Sequence, residues 1–313
     1  MAVLPVLSPS VRIEALKAGV SLGLAIERVA HDIDAQFDHI LALPGDPRRQ
    51  LYEAMRHAAM GGGKRLRPLL VKATCDLFNI DGRAASRVGV AIECIHVYSL
   101  VHDDLPCMDN DDVRRGKPTV HRAFDEATAV LAGDALHTMA FEVLGNEETH
   151  QDPFVRVELM LELARAAGAS GMAGGQMMDI EAERASFDLA TVTRLQQLKT
   201  GALFSFCLEA GAIMARVPPE GRTGLRGYAR DIGLAFQIAD DLLDVEGDAA
   251  LAGKTLGKDA GAGKETFVSL LGVERAREQA KLLVQQAKDH LHVYGSEADL
   301  LRSIADYVVE RDR

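Results

Sequence analysis

Hydrophobic residues recur at intervals of three and four positions along almost the whole chain of 313 residues. This spacing places them on one face of an α-helix, and it predicts a succession of amphipathic helices. No stretch shows the alternation of β-branched and polar residues that is typical of a half-buried strand. The pattern therefore predicts an all-α fold.

Short runs of helix-breaking residues separate the periodic segments. Glycine, proline, asparagine and aspartate mark these runs because they favour turns. The runs lie at residues 43–47, 61–63, 79–82, 105–110, 145–153, 217–221 and 253–264. Because most of these connections are short, successive helices are predicted to pack antiparallel as a bundle. No internal repeat or low-complexity linker interrupts the chain, so we predict a single domain over residues 1–313.

Composition and charge argue against several classes of protein. A net charge of −11 and an isoelectric point near 5.4 argue against binding to nucleic acid or to anionic membranes, because both need a basic protein surface. The four cysteines form no CxxC pair, which argues against a zinc site or a disulfide framework and fits a reducing compartment. The chain contains neither a long uninterrupted apolar run nor the pattern of a signal peptide. We therefore expect a cytoplasmic protein without a membrane span.

The most unusual segment is His102–Thr119, with the sequence HDDLPCMDNDDVRRGKPT. It follows residues 91–104, which are apolar enough to be buried. Because Pro106 disfavours helical geometry at the residue before it, a helix is predicted to end there, with Asp103 and Asp104 in its last turn. Carboxylates at a buried helix end need cations, and an oxygen-rich cluster suits Mg²⁺ together with a phosphate-bearing substrate. A solvated acidic turn is the structural alternative.

A second acidic constellation lies at residues 233–248, GLAFQIADDLLDVEGD. Gln237, Asp240, Asp241 and Asp244 follow each other at spacings of three, one and three residues, so they share one face of a predicted helix. The residues between them are apolar and belong to the core. We interpret this face as metal-binding, with a solvent-exposed acidic face as the alternative.

Basic residues follow three glycines in the segment GGGKRLRPLL at residues 61–70. A nucleotide-binding P-loop would need Ser or Thr after Lys64 and a strand before the glycines, and neither is present. The segment is instead interpreted as a glycine-rich helix start at which Lys64, Arg65 and Arg67 can hold a phosphate.

Other basic residues have two interpretations each. Arg114 and Arg115 follow the first acidic motif directly, and they either bind an anion or merely neutralise that motif. Lys199 shares a helical side with apolar residues, so its ammonium group either points into an apolar cavity or extends along the surface to solvent.

Together these motifs resemble the trans-polyprenyl diphosphate synthase family. In chain order they are GGGKRLRP at 61–68, DDLPCMD at 103–109, RRG at 114–116, KTG at 199–201, FQIADD at 236–241 and DDLLD at 240–244. The resemblance extends from about Leu41 to the carboxyl terminus. The gap of four residues between Asp104 and Asp109 is similar to that of the bacterial short-chain members.

The resemblance implies a helical bundle of the isoprenoid synthase type around a deep central cavity. It implies ionisation of an allylic diphosphate, dimethylallyl or geranyl, followed by condensation with isopentenyl diphosphate and loss of a proton. Farnesyl diphosphate is the expected product, with geranylgeranyl or geranyl diphosphate as alternatives. The expected cofactor is Mg²⁺, with Mn²⁺ as a substitute, and the expected assembly is a homodimer.

The same resemblance implies a role for each residue that matches a family motif. The expected metal ligands are Asp103, Asp104, Asp109, Asp240, Asp241 and Asp244. The expected contacts to isopentenyl diphosphate come from Lys64, Arg67, His96 and Arg115. The expected contacts to the allylic diphosphate come from Arg114, Lys199, Thr200, Gln237, Lys254 and Lys264. Catalytic assistance is expected from Lys199, Thr200, Phe236 and Gln237. Gln176 and Asp179 are expected to orient metal-bound water.

Chain length of the product is expected to depend on Tyr98 and Ser99, which stand five and four residues before Asp103. They lie roughly one helical turn deeper than the first acidic motif. A tyrosine at this place resembles the floor of the pocket in C15-forming members. The structural alternative is a core tyrosine whose hydroxyl group is hydrogen-bonded.

Three other functions remain open from the sequence. A class I terpene cyclase shares the fold but generally lacks a cluster such as Lys64, Arg67 and Arg115. A non-catalytic subunit of a heteromeric prenyl synthase usually loses an aspartate motif, and both motifs are intact here. His102 followed by Asp103 is a feature of metal-dependent phosphohydrolases, but no second His-Asp pair at a suitable spacing is evident.

Overall fold

The structure is a computed structural model that describes residues 9–246 and 264–310, with side chains from residue 22 onward. The helices of these ranges are α1 (Pro9–Ile40), α2 (Arg49–Ala59), α3 (Leu66–Leu77), α4 (Gly82–Asp103), α5 (Val120–Ala123), α6 (Glu126–Gly145), α7 (Pro153–Ala167), α8 (Met172–Glu181), α9 (Leu189–Gln196), α10 (Ala202–Met214), α11 (Thr223–Glu246), α12 (Phe267–Leu271), α13 (Val273–His290) and α14 (Asp299–Glu310). A π-helical turn, Gln197–Gly201, joins α9 to α10, and two 3₁₀ turns lie at Pro219–Arg222 and Ser296–Ala298.

The predicted all-α fold is confirmed, although one small β-hairpin was not predicted. Its strands, β1 (Val113–Arg114) and β2 (Lys117–Pro118), are antiparallel and only two residues long. Such strands are too short to show the alternation that identifies a strand in a sequence. Arg115 and Gly116 form the turn with φ values of 52° and 74°, as a two-residue hairpin turn with two positive φ angles requires.

Helix α4 is the centre of the bundle, packed between α3 and α6. Asp81 begins it by accepting hydrogen bonds from the backbone N–H groups of Arg83 and Ala84, which satisfies free donors of the first turn. The last helical residue is Asp103, and Asp104 is the carboxyl-terminal cap. The helix therefore ends two residues earlier than Pro106 alone indicates, with the two aspartates at its end as predicted.

The same helix is long and apolar enough to cross a membrane by those two criteria alone, and it is the one such helix in the described ranges. However, 61% of its most apolar stretch is buried inside the protein. Burial against α3 and α6 accounts for its apolar character, because a helix that is apolar on most sides belongs to the core of a large domain.

Candidate active site

A cavity of about 270 Å³ lies beside the carboxyl-terminal end of α4. The residues that line it come from α3, from α4 and the loop after it, from α8 and from the π-helical turn: Arg67, His96, Tyr98, Ser99, Leu100, His102, Asp103, Met108, Met172, Ala173, Gln176, Lys199 and Thr200. Eight of the residues predicted to form the site are among them. Segments separated by up to 133 positions in the chain thus meet at one cavity, as a shared binding site requires.

The first acidic motif carries two carboxylates that burial disfavours in their charged form. Burial raises the pKa of Asp103 to about 6, although the nearby Lys199 ammonium group lowers it. Burial also raises the pKa of Asp104, even though Arg114 Nε donates a hydrogen bond of 2.7 Å to its Oδ1 atom. Arg114 lies 3.5 Å from Asp111 as well. Arg114 therefore neutralises the motif in part, and the motif retains an excess of negative charge.

Because burial disfavours the charged form of Asp103, we predict that Asp103→Asn stabilises the protein. Because the folded-state pKa of about 6 lies above the ordinary value of 3.8, the charged carboxylate destabilises the folded protein above about pH 6. This penalty decreases as the pH falls from about 6 toward 3.8. In metal-free buffer at pH 8 we expect the variant to unfold with roughly 2 kcal/mol more free energy than wild type, allowing for partial exposure.

Urea denaturation at pH 8 and at pH 4 measures this difference. We expect the gain to be present at pH 8 and nearly absent at pH 4. Asp109→Asn is the matched control, because Asp109 belongs to the same motif but is exposed. Equal stability of wild type and Asp103→Asn at pH 8 would contradict the prediction.

The second acidic motif approaches the same cavity through a chain of hydrogen bonds. Thr200, which lines the cavity, donates from Oγ1 to Gln237 Oε1 at 3.4 Å, and Gln237 Nε2 donates to Asp241 Oδ1 at 3.1 Å. The backbone N–H of Phe267, at the start of α12, donates to Asp241 Oδ2 at 2.9 Å. Burial lowers the pKa of the Arg67 guanidinium group, and Asp240 is among the nearby groups whose charge opposes that shift. Both acidic motifs therefore lie next to residues of one cavity.

Lys199 and Lys264 converge on one carboxylate oxygen. Lys199 Nζ lies 2.9 Å and Lys264 Nζ lies 2.8 Å from Asp179 Oδ2, and Lys264 also lies 3.3 Å from Glu183. Burial opposes the charge of Asp179, but the two ammonium groups outweigh it and lower the pKa of this carboxyl group. Of the two interpretations from the sequence, the structure favours the one that turns Lys199 toward the cavity, because Lys199 is among the residues that line it. The sequence did not indicate its partner there, the carboxylate of Asp179.

The π-helical turn holds Lys199 by close backbone packing. A Cβ atom at Gly175 of α8 would lie 2.2 Å from the backbone nitrogen of Lys199, so only glycine permits this approach. On the other side of the turn, a Cβ atom at Gly233 of α11 would lie 3.3 Å from Gly201 Cα. The wider backbone spiral of a π-turn inserts a residue into the helix, and such turns are frequent at functional sites.

A cationic wall lies on the side of the cavity where α3 begins. The Nε atom of Arg67 is buried and, within the part of the chain that the structure describes, has no hydrogen-bond partner. Arg115 Nη1 donates to Gly62 O at 3.1 Å, and a Cβ atom at Gly63 would lie 2.6 Å from Arg115 Cζ. Burial and the neighbouring arginines lower the pKa of His96 well below its ordinary value. His96 is therefore a neutral imidazole among cations.

Arg65 has a role that the sequence did not reveal, since it was grouped with Lys64 and Arg67 as a phosphate-binding cation. Its side chain is buried and donates from Nη1 to Glu93 Oε1 and from Nη2 to Asp34 Oδ1, each at 2.6 Å. Arg65 has a left-handed backbone with a φ of 48°, and its side chain bridges α1, through Asp34, and α4, through Glu93. Arg65 therefore joins helices and is not available to a ligand.

Comparison with known proteins identifies the family. A family model described as polyprenyl synthetase matches residues 48–299. This chain belongs to the polyprenyl synthetase family. It is 44% identical to farnesyl diphosphate synthase of Escherichia coli (strain K12) over 271 residues, which cover 83% of this chain and 89% of the relative. It is 43% identical to farnesyl diphosphate synthase of Bacillus subtilis (strain 168), over 84% of this chain and 89% of the relative.

Solved structures agree with this membership of the polyprenyl synthetase family. The chain has a TM-score of 0.86 and 63% identity to an FPP/GFPP synthase from Zymomonas mobilis, covering 93% of this chain and 99% of that one. It has a TM-score of 0.82 and 34% identity to a geranyltransferase from Legionella pneumophila, covering 93% and 98% of the two chains. These similarities confirm the isoprenoid synthase fold that the sequence motifs imply.

Tyr98 lies at the wall of the polyprenyl synthetase cavity between two histidines. Its ring packs edge-on against His102, with centroids 5.8 Å apart, and against His137 of α6, with centroids 4.8 Å apart. His137 in turn packs against Phe141 at 5.5 Å. The neighbouring Ser99 Oγ donates to His96 O at 2.8 Å. Tyr98 is therefore a half-buried residue of the cavity wall that is held by rings on two helices.

The donor set fits the hard divalent ion that the polyprenyl synthetase family implies. Among the described residues, no three Asp, Glu, His or Cys side chains lie together as a complete metal cage. Mg²⁺ seldom needs such a cage, because it commonly keeps several waters and binds one or two carboxylates plus substrate phosphates. Asp103 and Asp104 suit this mode, since burial makes their negative charge unfavourable without a further cation.

Four predicted residues remain to be located. Asp244 lies in α11 and is half-buried, and Lys64 Nζ lies 5.9 Å from the ring centroid of Tyr307. Phe236 lies in α11 with its ring centroid 5.3 Å from that of Phe204, next to the Gln237 that bonds Thr200. Lys254, expected to contact the allylic diphosphate, lies outside the described residues.

Proposed function

We propose that this protein is a Mg²⁺-dependent prenyltransferase that condenses an allylic diphosphate with isopentenyl diphosphate, giving farnesyl diphosphate and pyrophosphate. The observation that supports it most strongly is the cavity in which Asp103, Lys199, Thr200 and Arg67 meet, with the second acidic motif bonded to Thr200. Relatives at 40–44% identity are named farnesyl diphosphate synthase, and one at 45% is named dimethylallyltranstransferase.

The charged residues of the cavity are suited to the ionisation step. When the allylic C–O bond breaks, its electron pair leaves with the diphosphate, and the negative charge on that group grows. Lys199, Lys264 and Arg114 would neutralise this charge, each opposite pair contributing on the order of 3 kcal/mol at about 5 Å and an effective dielectric constant near 20. Bound Mg²⁺ would supply further neutralisation of the leaving diphosphate.

The next two steps, condensation and loss of a proton, need a site that excludes water and a base that accepts the proton. The double bond of isopentenyl diphosphate donates its electron pair to the allylic cation, which forms the new C–C bond, and a proton then leaves the adjacent carbon for the released pyrophosphate. Water would capture the cation, so apolar wall residues such as Leu100, Met108 and Met172 exclude it. The backbone carbonyls near Lys199 and Thr200 and the ring of Phe236 are suited to stabilise positive charge.

The cationic wall is suited to the diphosphate of the second substrate. Arg67 offers a buried donor that has no partner among the described residues, and Arg115 and Lys64 flank the glycine loop. A neutral His96 can donate one hydrogen bond without adding charge. This separate cluster supports a prenyl synthase over a terpene cyclase, which needs only the ionising half of the site.

The experiment that tests the function is a product assay. We expect the purified protein with Mg²⁺ and isopentenyl diphosphate to extend dimethylallyl and geranyl diphosphate to a C15 product and to release pyrophosphate. Geranylgeranyl diphosphate is the second candidate product, since a relative from Capsicum annuum at 43% identity is named geranylgeranyl pyrophosphate synthase. We expect EDTA to abolish product formation. Hydrolysis or cyclisation of the allylic primer without chain extension would contradict the proposal.

We propose that the protein is a homodimer through the outer faces of α6 and α7. These neighbouring helices expose a group of large apolar residues that is unusual for a free surface: Val130, Leu131, Phe154, Val157 and Leu161. Phe154 is 81% exposed. A contiguous apolar patch commonly marks a protein interface, and two-fold symmetry is the commonest assembly.

Phe154→Arg is expected to shift the protein from dimer to monomer, because a two-fold interface would place the two new charges in one apolar contact. Sedimentation velocity measures the assembly over a range of concentrations. Val293→Arg is the control, since Val293 is also exposed, at 67%, but follows α13 in the chain. A monomeric wild type, or a dimer that survives Phe154→Arg, would exclude this interface.

We also propose a single domain over residues 1–313 and a cytoplasmic location. Buried hydrophobic residues from α1 through α14 form one cluster, which supports one domain. Cys75, Cys94 and Cys207 are buried free thiols and Cys107 is an exposed one, which supports a reducing compartment.

A further inference from the structure

We propose that Asp179 is an internal counter-anion that weakens the binding of pyrophosphate and so promotes its release. This inference rests on the proposed function and extends it to a residue that controls product affinity. Asp179 binds the same two ammonium groups, those of Lys199 and Lys264, that are proposed to hold the diphosphate. An anion that enters the site must displace this carboxylate or bind beside it.

The geometry of the contact resembles that of a bound anion. One oxygen, Oδ2 of Asp179, accepts hydrogen bonds from both Lys199 Nζ and Lys264 Nζ, at 2.9 and 2.8 Å. The lysines come from separate segments, one in the π-helical turn and the other before α12. Two ammonium groups held on a single oxygen are close enough to repel each other. Asp179 offsets that repulsion before a diphosphate arrives.

Helix α8 fixes the carboxylate in this position. Gly175 and Asp179 are four residues apart, so they lie on the same face of α8. Gly175 packs directly against the backbone of Lys199, and Asp179 is therefore aimed at the side chain of the same residue. The close packing also holds the backbone and Cβ atom of Lys199 independently of Asp179, so loss of the carboxylate charge would leave the base of this side chain in place.

The charge balance determines the direction of the effect. With Asp179 ionised, the three groups carry a net charge of one positive unit, and a diphosphate meets the repulsion of the carboxylate as well as the attraction of the lysines. Asparagine at this position removes the repulsion and leaves an amide oxygen that can still accept a hydrogen bond. Pyrophosphate is a product of the proposed reaction, so tighter binding would slow its departure.

Isothermal titration calorimetry, with inorganic pyrophosphate titrated into the Asp179→Asn protein, tests this inference. In metal-free buffer with EDTA we expect the variant to bind pyrophosphate roughly tenfold more tightly than wild type. Asp179→Glu restores the charge and is expected to restore the wild-type affinity. Equal or weaker pyrophosphate binding by Asp179→Asn would overturn the inference.

The control variant is Glu183→Gln. Glu183 also contacts Lys264, at 3.3 Å, but its side chain is 50% exposed, so solvent screens its charge and we expect less than a twofold change in affinity. The metal-free arm isolates the carboxylate from the other role predicted for Asp179, which is to orient metal-bound water. If wild type forms no prenyl product, the proposed function fails, whereas the pyrophosphate titrations still decide the role of Asp179.

A kinetic measurement separates control of product release from a merely structural role. In a rapid-quench experiment with Mg²⁺, we expect Asp179→Asn to form the first equivalent of prenyl product in a burst and then to turn over several-fold more slowly than wild type. Added pyrophosphate should inhibit the variant at lower concentrations. A variant that turns over slowly without a burst and without stronger inhibition has lost chemistry and not release, which would also overturn the inference.

Discussion

Replacement of Glu93 by alanine is expected to lower the free energy of unfolding by about 3–5 kcal/mol. Glu93 is 1% exposed and accepts a 2.6 Å hydrogen bond from Arg65, which is itself 3% exposed. The variant would leave the Arg65 guanidinium group buried with Asp34 as its remaining carboxylate, and the Asp34 side chain is 39% exposed. A buried charge that loses a buried partner has no comparable solvation to replace it.

Urea denaturation of a double-mutant series measures this effect. Arg65→Met combined with Glu93→Met removes both buried charges, and we expect this protein to be far closer to wild type than Glu93→Ala is, because replacing both partners by apolar groups is often nearly neutral. Glu148→Ala is the matched control, since Glu148 pairs with Arg87 at 2.8 Å but is 56% exposed. A loss in Glu93→Ala no larger than that in Glu148→Ala would contradict the prediction.

The same variant is expected to impair the cationic wall, because Arg65 stands between Lys64 and Arg67 in the chain. Arg65 also donates to the carbonyl of Ala59 at 2.5 Å, so it joins the end of α2 to α4 just before the glycine loop. When the contact between Arg65 and Glu93 is lost, the glycine loop, Lys64 and Arg67 are held less firmly. We therefore expect Glu93→Ala to raise the KM for isopentenyl diphosphate, relative to wild type, more than it raises the KM for the allylic substrate.

Local sequence patterns predicted the parts of this molecule that local physics determines. The end of α4 follows from the proline at 106 to within two residues, and the helical periodicity of residues 233–246 predicted the acidic face of α11. The two aspartate motifs could be located because charges within apolar helices are unusual, and the polyprenyl synthetase motifs then assigned the cationic residues. The cavity does contain residues of both the first acidic motif and the KTG segment.

Local patterns could not predict contacts between residues that are far apart in the chain. Arg65 and Lys64 are adjacent and chemically alike, and only the left-handed backbone at Arg65 and the distant Glu93 separate their roles. Lys264 and Asp179 are 85 positions apart, so their contact depends on the packing of several helices. The π-helical turn at Gln197–Gly201 packs closely against Gly175, and no periodicity within the turn itself indicates that contact.

The candidate active-site cavity contains charged and polar groups whose burial is unfavourable, and the rest of the fold offsets this cost. Asp103 has its pKa raised to about 6 by burial, and Arg67 carries a buried donor without a partner among the described residues. Both features are unfavourable in the free protein and would become favourable on binding of the cation and the diphosphate proposed above. The expected stability gain of Asp103→Asn and the loss in Glu93→Ala therefore distinguish a charge kept for function from a charge pair that supports the fold.

Tyr98→Ala is expected to shift the main product from C15 to C20 or longer. Tyr98 stands five residues before Asp103 on α4, so a prenyl chain whose diphosphate lies at Asp103 would extend along the helix toward its ring. The ring is half-buried in the cavity wall and is held edge-on by His102 and His137. Truncation to alanine would open space beyond it, and the C15 product would then remain bound as a primer for another condensation.

Product sizing after incubation with Mg²⁺, isopentenyl diphosphate and geranyl diphosphate measures this shift. Tyr98→Phe is the matched control, because it keeps the ring and loses only the hydroxyl group, and we expect it to retain the C15 product. His137→Ala should lengthen the product to a smaller extent, since it removes a ring that supports Tyr98 from α6 and leaves Tyr98 itself in place. An unchanged C15 product from Tyr98→Ala would remove Tyr98 from this role and leave it as a wall residue whose contacts serve packing alone.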